Sequence, residues 1–172
     1  LVPVSNVNYI DKYTNAGADE LYLGFHDDNW NAEFGKYADI NRMSGFAERA
    51  NPFSFEQLLE IIENIKNKNK GVFITMNANE YSSNQIQYMK EHYFPSLKAV
   101  GVDGVILSDV DAIHAAEEAE LRAVASTMCA IYNEDIAKVY RDMGVKRMIL
   151  PRDLSLNEIE KICAAMPEVH FE

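Results

Sequence analysis

One pattern occurs three times along this chain and constrains its fold more than any other feature. In each copy a helix-forming stretch ends in glycine, a short turn follows, and an apolar run comes directly after the turn. The three copies occupy residues 16–25, 100–107 and 143–150. Glycine supplies the left-handed backbone conformation that ends a helix. An apolar run without alternation is typical of a strand buried on both faces of a parallel sheet.

Capping boxes mark the starts of three helices. Ser54, Ser82 and Ser155 are each followed three residues later by Gln or Glu, and then by apolar residues at helical spacing. Pro95 is expected to kink or split the second of these helices. The patterns together predict six helices, at 6–16, 54–68, 83–99, 111–118, 133–143 and 155–165. They predict about seven strands, at 1–4, 20–25, 71–76, 104–108, 121–125, 147–150 and 168–172.

Strict alternation of strands and helices indicates an α/β fold with a parallel sheet and right-handed crossovers. An open doubly wound sheet and a barrel both fit this order. No glycine-rich phosphate loop follows the first strand, where a dinucleotide-binding fold would place one. A closed barrel has eight strands. We therefore predict a parallel (β/α) TIM-barrel-like fold, incomplete and not closed, formed by residues 1–172 as a single domain.

The segment 26–52 is long for a connection between a strand and a helix. It contains several aromatic residues and follows the carboxyl end of the second strand, which in barrels is the active face. Two interpretations remain open: a surface excursion that packs on itself, and a lid or wall over a substrate.

Charge and cysteine content limit the function classes. The formal net charge of −11 repels phosphate backbones, so we do not expect sequence-independent binding of nucleic acid. The sequence has neither a long apolar stretch nor a basic start with a cleavage site, so we expect no membrane span and no signal peptide. Cys129 and Cys163 show no pairing pattern, which favours the cytoplasm. Two cysteines cannot form a four-cysteine zinc or iron–sulfur site, so this chain alone supports no cofactor.

The stretch Ala-Gly-Ala-Asp-Glu-Leu-Tyr-Leu-Gly at residues 16–24 resembles the opening motif of the collagenase-like bacterial peptidases, peptidase family U32. The other matching stretches are 51–54, 75–77, 101–104, 125–127, Asn133 and 152–159, and residues 170–172 resemble the start of the family's next motif. The order and spacing of these motifs extend the resemblance over nearly the whole chain.

The resemblance implies an N-terminal barrel domain, and the family name implies hydrolysis of peptides or proteins. Related members resemble enzymes that hydroxylate RNA bases or quinone precursors through a cysteine-bound iron–sulfur cluster. The cysteines that can hold this cluster lie beyond the position of Glu172. The family also places an arginine soon after the second strand, and Arg42 and Arg49 are the candidates here.

Polar residues follow the ends of the predicted strands. Because parallel strands direct their carboxyl ends to one rim, we expect Asn77, Asp109, Ser126, Arg152 and Glu172 to converge there. Asp109, Glu172 and Arg152 can satisfy one another by charge-assisted hydrogen bonds, and can also polarise an amide or carboxylate. The alternative is a purely structural ion network.

Three further candidates carry weaker signals. Ser126 as a nucleophile would need a base, for which His114 is the nearest in sequence, and a hydrogen-bonded strand end is the favoured alternative. Cys129 is interpreted as a small buried hydrophobe rather than a reactive thiolate. Residues 26–29 offer imidazole and carboxylate groups, but a solvated loop is favoured and we predict no metal site.

Three functional hypotheses follow. The first is a peptidase-like hydrolase acting on a peptide or protein, with Asp109, Glu172, Arg152 and Ser126 as catalytic candidates and Asn77, Arg42, Arg49 and Asn133 as substrate-binding candidates. The second is a hydroxylase whose cluster cysteines lie outside this sequence. The third is a non-catalytic barrel that binds a peptide or partner through its open edge. The same open edges predict a homodimer through residues 1–4 and 169–172. The alternative is that the terminal strands close on each other as a distorted seven-stranded barrel, which would leave a monomer.

Overall fold

The computed structural model describes residues 1–36, 38–45 and 50–172. These residues form one sheet of seven strands in the order β1 to β7, each parallel to the next. The strands are β1 (Val2–Pro3), β2 (Glu20–Leu23), β3 (Gly71–Met76), β4 (Gly104–Leu107), β5 (Ala123–Ala125), β6 (Arg147–Met148) and β7 (His170–Phe171). The predicted incomplete parallel TIM-barrel-like fold is thus confirmed.

The six predicted helices are present. The described helices are α1 (Ile10–Asn15), α2 (Asp28–Phe34), α3 (Phe55–Asn67), α4 (Ser83–Tyr88), α5 (Phe94–Ala99), α6 (Val110–Glu118), α7 (Glu134–Asp142) and α8 (Leu156–Ala165). A π-helical turn over Met89–Tyr93 joins α4 to α5 and immediately precedes the first turn of α5, which holds Pro95. Proline has no backbone N–H to donate, so this turn is where the predicted interruption occurs.

Local sequence signals form the expected structures. All three capping boxes are complete: Ser54 Oγ, for example, accepts from the Gln57 backbone N–H at 3.3 Å, and Gln57 Oε1 accepts from the Ser54 N–H at 3.0 Å. Gly17 and Gly144, which follow α1 and α7, have φ of +101° and +102°. Residues other than glycine rarely adopt that backbone conformation.

Alternation along each strand divides its side chains between two environments. Met76, Leu107, Ala125 and Met148 face the helices and are fully buried in the main core. The interior of the curled sheet is filled by a second apolar cluster, composed of Phe73, Ile106 and Val124 with Tyr22 and Ile149 packed against it. This interior cluster forms the floor on which a site at the carboxyl ends of the strands can rest.

The connection after β2 is more ordered than the sequence indicates. It contains α2, which begins at its cap Asp27 and buries Trp30 completely. Asp27 is itself buried and accepts a hydrogen bond from the hydroxyl of Tyr93 at 2.7 Å. The interpretation of residues 26–29 as a solvated loop is therefore wrong. Over the described residues, no helix is long and apolar enough to cross a membrane.

The outer strands leave two open edges, because β1 pairs with β2 alone and β7 with β6 alone within the described part of the sheet. Unpaired strand edges invite association with another chain. We expect the 172-residue chain to form dimers at micromolar concentration by light scattering, and Val2→Lys in β1 to reduce them. Val139→Lys, at an exposed valine of α7, is the matched control and should leave the dimer intact. A monomer of 19.5 kDa for the unsubstituted chain contradicts the prediction.

Candidate functional site

A cavity of about 440 Å³ opens at the carboxyl ends of the strands. This is within the size range of small-molecule pockets. Its polar lining includes Asn41, Arg42, Asn51, Thr75, Asn77, Ser126, Thr127 and Glu172, and its apolar lining includes Tyr22, Ile106 and Ile149. Among the described lining side chains, only those of Arg42 and Glu172 carry charge. The cavity is therefore a mainly neutral, hydrogen-bonding pocket over an apolar floor.

Asn77 and Ser126 form the buried polar centre of this cavity. They follow the ends of β3 and β5, and Asn77 Nδ2 donates to Ser126 Oγ at 2.9 Å. Ser126 Oγ also lies 3.3 Å from the backbone N–H of Met128, which donates to it. With both of its acceptor positions occupied, Ser126 has its own hydroxyl proton left to donate. Ser126 is thus arranged as a hydrogen-bond donor toward the cavity.

Ser126 is not arranged as a nucleophile. Within the described residues, neither a histidine nor a carboxylate hydrogen-bonds its hydroxyl. His114 is exposed on α6 and is absent from the cavity lining. A serine nucleophile requires a general base within hydrogen-bonding reach. The geometry therefore favours the alternative of a hydrogen-bonded strand end.

Glu172 reaches the cavity from the end of β7 and is held by an arginine that the sequence analysis did not single out. Arg147, at the start of β6, donates from Nη2 to Glu172 Oε1. The same guanidinium donates to Glu20 of β2 from Nη1 at 3.0 Å and from Nη2 at 2.5 Å. The interaction with Glu20 crosses the interior of the curled sheet, since β2 and β6 are not neighbouring strands. Glu172 thus pairs with Arg147 and not with Arg152.

The surroundings of Arg147 keep it charged and fixed. Its residue is 7% exposed, and its guanidinium carbon lies 4.6 Å from the centre of the Phe73 ring, a cation–π arrangement. The hydrogen bonds from Arg147 lower the pKa of Glu20, and those same bonds raise the pKa of Arg147. The sequence signal for this network is Arg147 itself, a charged residue at the start of an otherwise apolar strand.

The connection after β2 builds one wall of the cavity. The amide side chains of Asn41 and Asn51 hydrogen-bond each other reciprocally, at 3.1 and 3.3 Å. They pack directly over Gly24, where a Cβ would overlap Asn51 Oδ1. The Arg42 backbone N–H donates to Asn77 Oδ1 at 3.4 Å, which joins the wall to the polar centre. Of the two interpretations of segment 26–52, its described residues support a wall over the cavity.

Aromatic packing holds this wall in place. Trp30 Nε1 donates to the Ala38 carbonyl at 2.8 Å, and the Tyr81 hydroxyl donates to the Ile40 carbonyl at 2.5 Å. The Trp30 ring also contacts Tyr88 and Tyr93, with centroid distances of 5.6 and 5.8 Å. These contacts fix the backbone that leads directly to Asn41.

Two residues expected to converge at the rim do not line the cavity. Asp109 caps α6 by accepting from the Ala112 N–H at 2.8 Å, and it also accepts from the Tyr81 N–H. Arg152 is exposed and, like Asp109, is absent from the cavity lining. Side chains alternate along a strand, so Asp109 falls on the side opposite Ile106, and Arg152 on the side opposite Ile149. Of the five residues expected to converge, Asn77, Ser126 and Glu172 line the cavity, whereas Asp109 and Arg152 do not.

The remaining candidates are placed as follows. Arg42 lines the cavity, whereas Asn133 is exposed and caps α7. Arg49 lies outside the described residues. Cys129 is buried, and burial raises the pKa of its thiol to about 11, so it is a protonated thiol at neutral pH. The described residues contain no cluster of three or more His, Cys, Asp or Glu side chains that could hold a metal ion.

The ion network predicts an acid-dependent loss of stability. Glu20 has a lowered pKa in the folded state. Its contribution to the free energy of unfolding is therefore present above its unfolded pKa of about 4.3 and is lost as the pH falls through the lower folded pKa. We expect the difference in unfolding free energy between the unsubstituted chain and Glu20→Gln to be constant near pH 7 and to shrink below pH ~4. Urea unfolding at several pH values measures it. Glu63→Gln, at an exposed site on α3, should show no such trend, and a pH-independent difference for Glu20→Gln contradicts the prediction.

Comparison with known proteins identifies the family. The family model described as Peptidase family U32 matches residues 5–172. The chain therefore belongs to peptidase family U32, as the sequence motifs indicate.

Two curated relatives give a broader picture. An uncharacterized protease of Methanocaldococcus jannaschii is 30% identical over 162 residues, which cover 94% of this chain and 35% of that protein. The tRNA hydroxylation protein P of Helicobacter pylori strain J99 is 26% identical over 174 residues, which cover 100% of this chain and 37% of that protein. This chain thus spans about a third of the length of these curated relatives.

Solved structures support the fold. The U32 peptidase Mk0906 superposes with a TM-score of 0.72 at 13% identity, covering 95% of this chain and 63% of that one. A tryptophan synthase complex from Pyrococcus furiosus gives a TM-score of 0.62 at 18% identity, covering 100% of this chain and 75% of that one. At these identities the similarity establishes the barrel-like fold alone.

Proposed function

We propose that this member of peptidase family U32 carries a substrate pocket at the barrel mouth and that the pocket binds a peptide amide group for hydrolysis. The observation that carries the proposal is the pairing of neutral donors with a single carboxylate. Asn77 and Ser126 offer N–H and O–H groups on one side of the cavity, and Glu172 offers carboxylate oxygen on another. A peptide amide presents the complementary carbonyl oxygen and N–H.

Asn77 and Ser126 are suited to bind the amide carbonyl. Asn77 Nδ2 uses one hydrogen on Ser126 and has a second, and the Ser126 hydroxyl proton has no acceptor in the described part of the chain. Fixed donors directed at a carbonyl oxygen stabilise the negative charge that develops there when the carbon is attacked. The expected role of Ser126 is therefore donation rather than attack.

Glu172 is suited to orient and deprotonate water. Its Oε1 is bound by Arg147, while its Oε2 has no hydrogen-bond partner among the described residues. In the proposed reaction Glu172 accepts one proton from a water molecule whose oxygen bonds to the carbonyl carbon. The carbon–nitrogen bond then breaks, and the proton passes from Glu172 to the departing amine nitrogen. One water is consumed, and one carboxylic acid and one amine are formed.

A second candidate is the hydroxylation of a tRNA nucleoside. A relative that matches this chain over its whole length is named for tRNA hydroxylation. The edge of a nucleobase can present the same carbonyl and N–H pair as a peptide amide. An iron–sulfur cluster does not fit the residues present, because Cys129 is buried in the core and neither Cys129 nor Cys163 lines the cavity. The cysteines for a cluster would have to come from outside this sequence.

The two reactions leave different products. The full-length protein is incubated with a peptide mixture, and new amino termini are detected by mass spectrometry. In parallel, tRNA nucleosides from cells with and without the gene are compared for the gain of one oxygen atom. New amino termini that disappear in Glu172→Gln support hydrolysis. A tRNA nucleoside that loses its hydroxyl in the deletion strain, without peptide cleavage, replaces hydrolysis by the second candidate, and absence of both products favours a non-catalytic binding barrel.

We also propose that the protein acts in the cytoplasm. Cys129 and Cys163 are both free thiols, which is usual in a reducing compartment. Cell fractionation with an antibody against the full-length protein tests the location, and recovery from the periplasm or medium contradicts it.

A further inference from the structure

The ion network of Glu20, Arg147 and Glu172 has a feature that is not needed to stabilise the fold. Arg147 is 7% exposed and is shared between Glu20 and Glu172, of which Glu172 lines the cavity and Glu20 does not. Buried ion pairs give little net stability compared with apolar residues of similar size. The Nε hydrogen of Arg147 is also buried without a partner among the described residues. The arrangement thus fixes a carboxylate at the cavity without optimising the arginine's own hydrogen bonds.

The geometry places the side chains in the order Glu20, Arg147 and Glu172, with the guanidinium between the two carboxylates. Glu20 binds the guanidinium through two oxygens and so sets its plane, a bidentate arrangement with defined direction. Phe73 supports the guanidinium face at 4.6 Å. Nη2 is thereby directed to Glu172 Oε1, and this leaves Oε2 of the same carboxylate without a partner in the described structure.

From this order, and resting on the proposed function, we infer that Arg147 and Glu20 are positioning residues that hold Glu172 with one oxygen bound and the other open to the cavity. The carboxylate end of the pocket then selects a hydrogen-bond donor, such as an amide N–H or the proposed water. It excludes a substrate carboxylate, because two negative groups would meet there. Arg42, at the outer wall, is the group that can accept an anionic portion of the substrate.

The inference predicts a direct spectroscopic effect. In the chain labelled with carboxyl-¹³C glutamate, the Glu172 signal is assigned as the one that disappears in Glu172→Gln. Arg147→Met should shift that signal, and Arg147→Lys should restore it in part. Glu20→Gln should also shift it, although Glu20 is linked to Glu172 only through Arg147. Lys90→Met removes a surface pair with Glu118 at 2.9 Å and is the matched control, which should leave the signal unchanged.

The outcomes are decisive even if one variant does not fold. An unchanged Glu172 signal in folded Arg147→Met or folded Glu20→Gln overturns the inference, and Glu20→Gln with Arg147→Lys decides it if Arg147→Met is unfolded. In the full-length protein, Arg147→Lys should lower kcat on the cleaved peptide by about 100-fold, the scale of a small misplacement of a reacting group, with little change in KM. A shifted Glu172 signal in a protein that cleaves no peptide supports the positioning role while the proposed hydrolysis fails.

Discussion

Replacement of Trp30 by alanine is expected to lower the free energy of unfolding by about 3–5 kcal/mol. Trp30 is fully buried and packs against Phe34, Tyr88 and Tyr93, so its removal leaves a large cavity between α2 and the helix that contains the π turn. It also removes the Nε1 hydrogen bond to the Ala38 carbonyl. Urea unfolding of the two proteins, followed by circular dichroism, measures the difference.

Two further variants separate packing from the hydrogen bond. Trp30→Phe keeps an aromatic ring but not the Nε1 donor, and it should lower the free energy of unfolding by less than Trp30→Ala does. Tyr132→Ala removes an aromatic side chain that is 46% exposed and should change stability by less than about 0.5 kcal/mol. A loss below about 1 kcal/mol for Trp30→Ala would mean that α2 is not anchored as described.

Replacement of Glu172 by glutamine is expected to reduce kcat on the cleaved peptide by about 10²–10⁴-fold in the full-length protein. Glutamine can still accept a hydrogen bond from Arg147, but it cannot take a proton from water. Binding of the peptide should therefore change less than turnover. Steady-state kinetics of the two proteins give kcat and KM separately.

The matched variants for this prediction are Glu168→Gln and Ser126→Ala. Glu168 is exposed and lies 3.8 Å from Arg141 on the outer surface, so its change should leave kcat unaltered. Ser126→Ala removes one donor and should reduce kcat by about 10²–10³-fold. A loss near 10⁶-fold in Ser126→Ala, the scale for a missing nucleophile, together with full activity in Glu172→Gln, would reverse the proposed roles.

The fold could be predicted because its signals are local. Gly17, Gly101 and Gly144 follow helices with positive φ, and Ser54, Ser82 and Ser155 each cap a helix in the complete form of the motif. Such signals act within a few residues and do not depend on distant contacts. The helix α2 is not among the six predicted helices, although its cap Asp27 and its terminating Gly35 are equally local, because Trp30 stands where a capping box has Gln or Glu.

The site could be predicted only in part. A position at a strand end predicts that a residue lies at the rim of the sheet, but not whether its side chain faces the cavity or the helices. Asn77 and Ser126 each stand two residues after a side chain of the interior, Thr75 and Val124, and so face the cavity. Asp109 stands an odd number of residues from Ile106 and caps a helix instead. Counting alternation along the strands would have separated these cases.

The Arg147 network could not be derived from the sequence. Its partners Glu20 and Glu172 lie on β2 and after β7, and the contact depends on how far the sheet curls. A charged residue in a short apolar strand indicates a buried partner but does not identify it. Only the three-dimensional arrangement shows that Arg147, rather than Arg152, holds Glu172.

If the barrel mouth is the substrate pocket, the side-chain amide signals of its asparagines report directly on peptide binding. The ¹⁵N-labelled chain is titrated with a short peptide blocked at both ends, and the Nδ2 signals of Asn41, Asn51 and Asn77 are followed with those of exposed Asn133 as reference. We expect saturable shifts at the three cavity asparagines, no shift at Asn133, and weaker shifts at Asn41 and Asn51 in Asn77→Ala. Shifts confined to residues outside the cavity, or no saturable shift at any of the three, would contradict the assignment of the cavity as the substrate pocket.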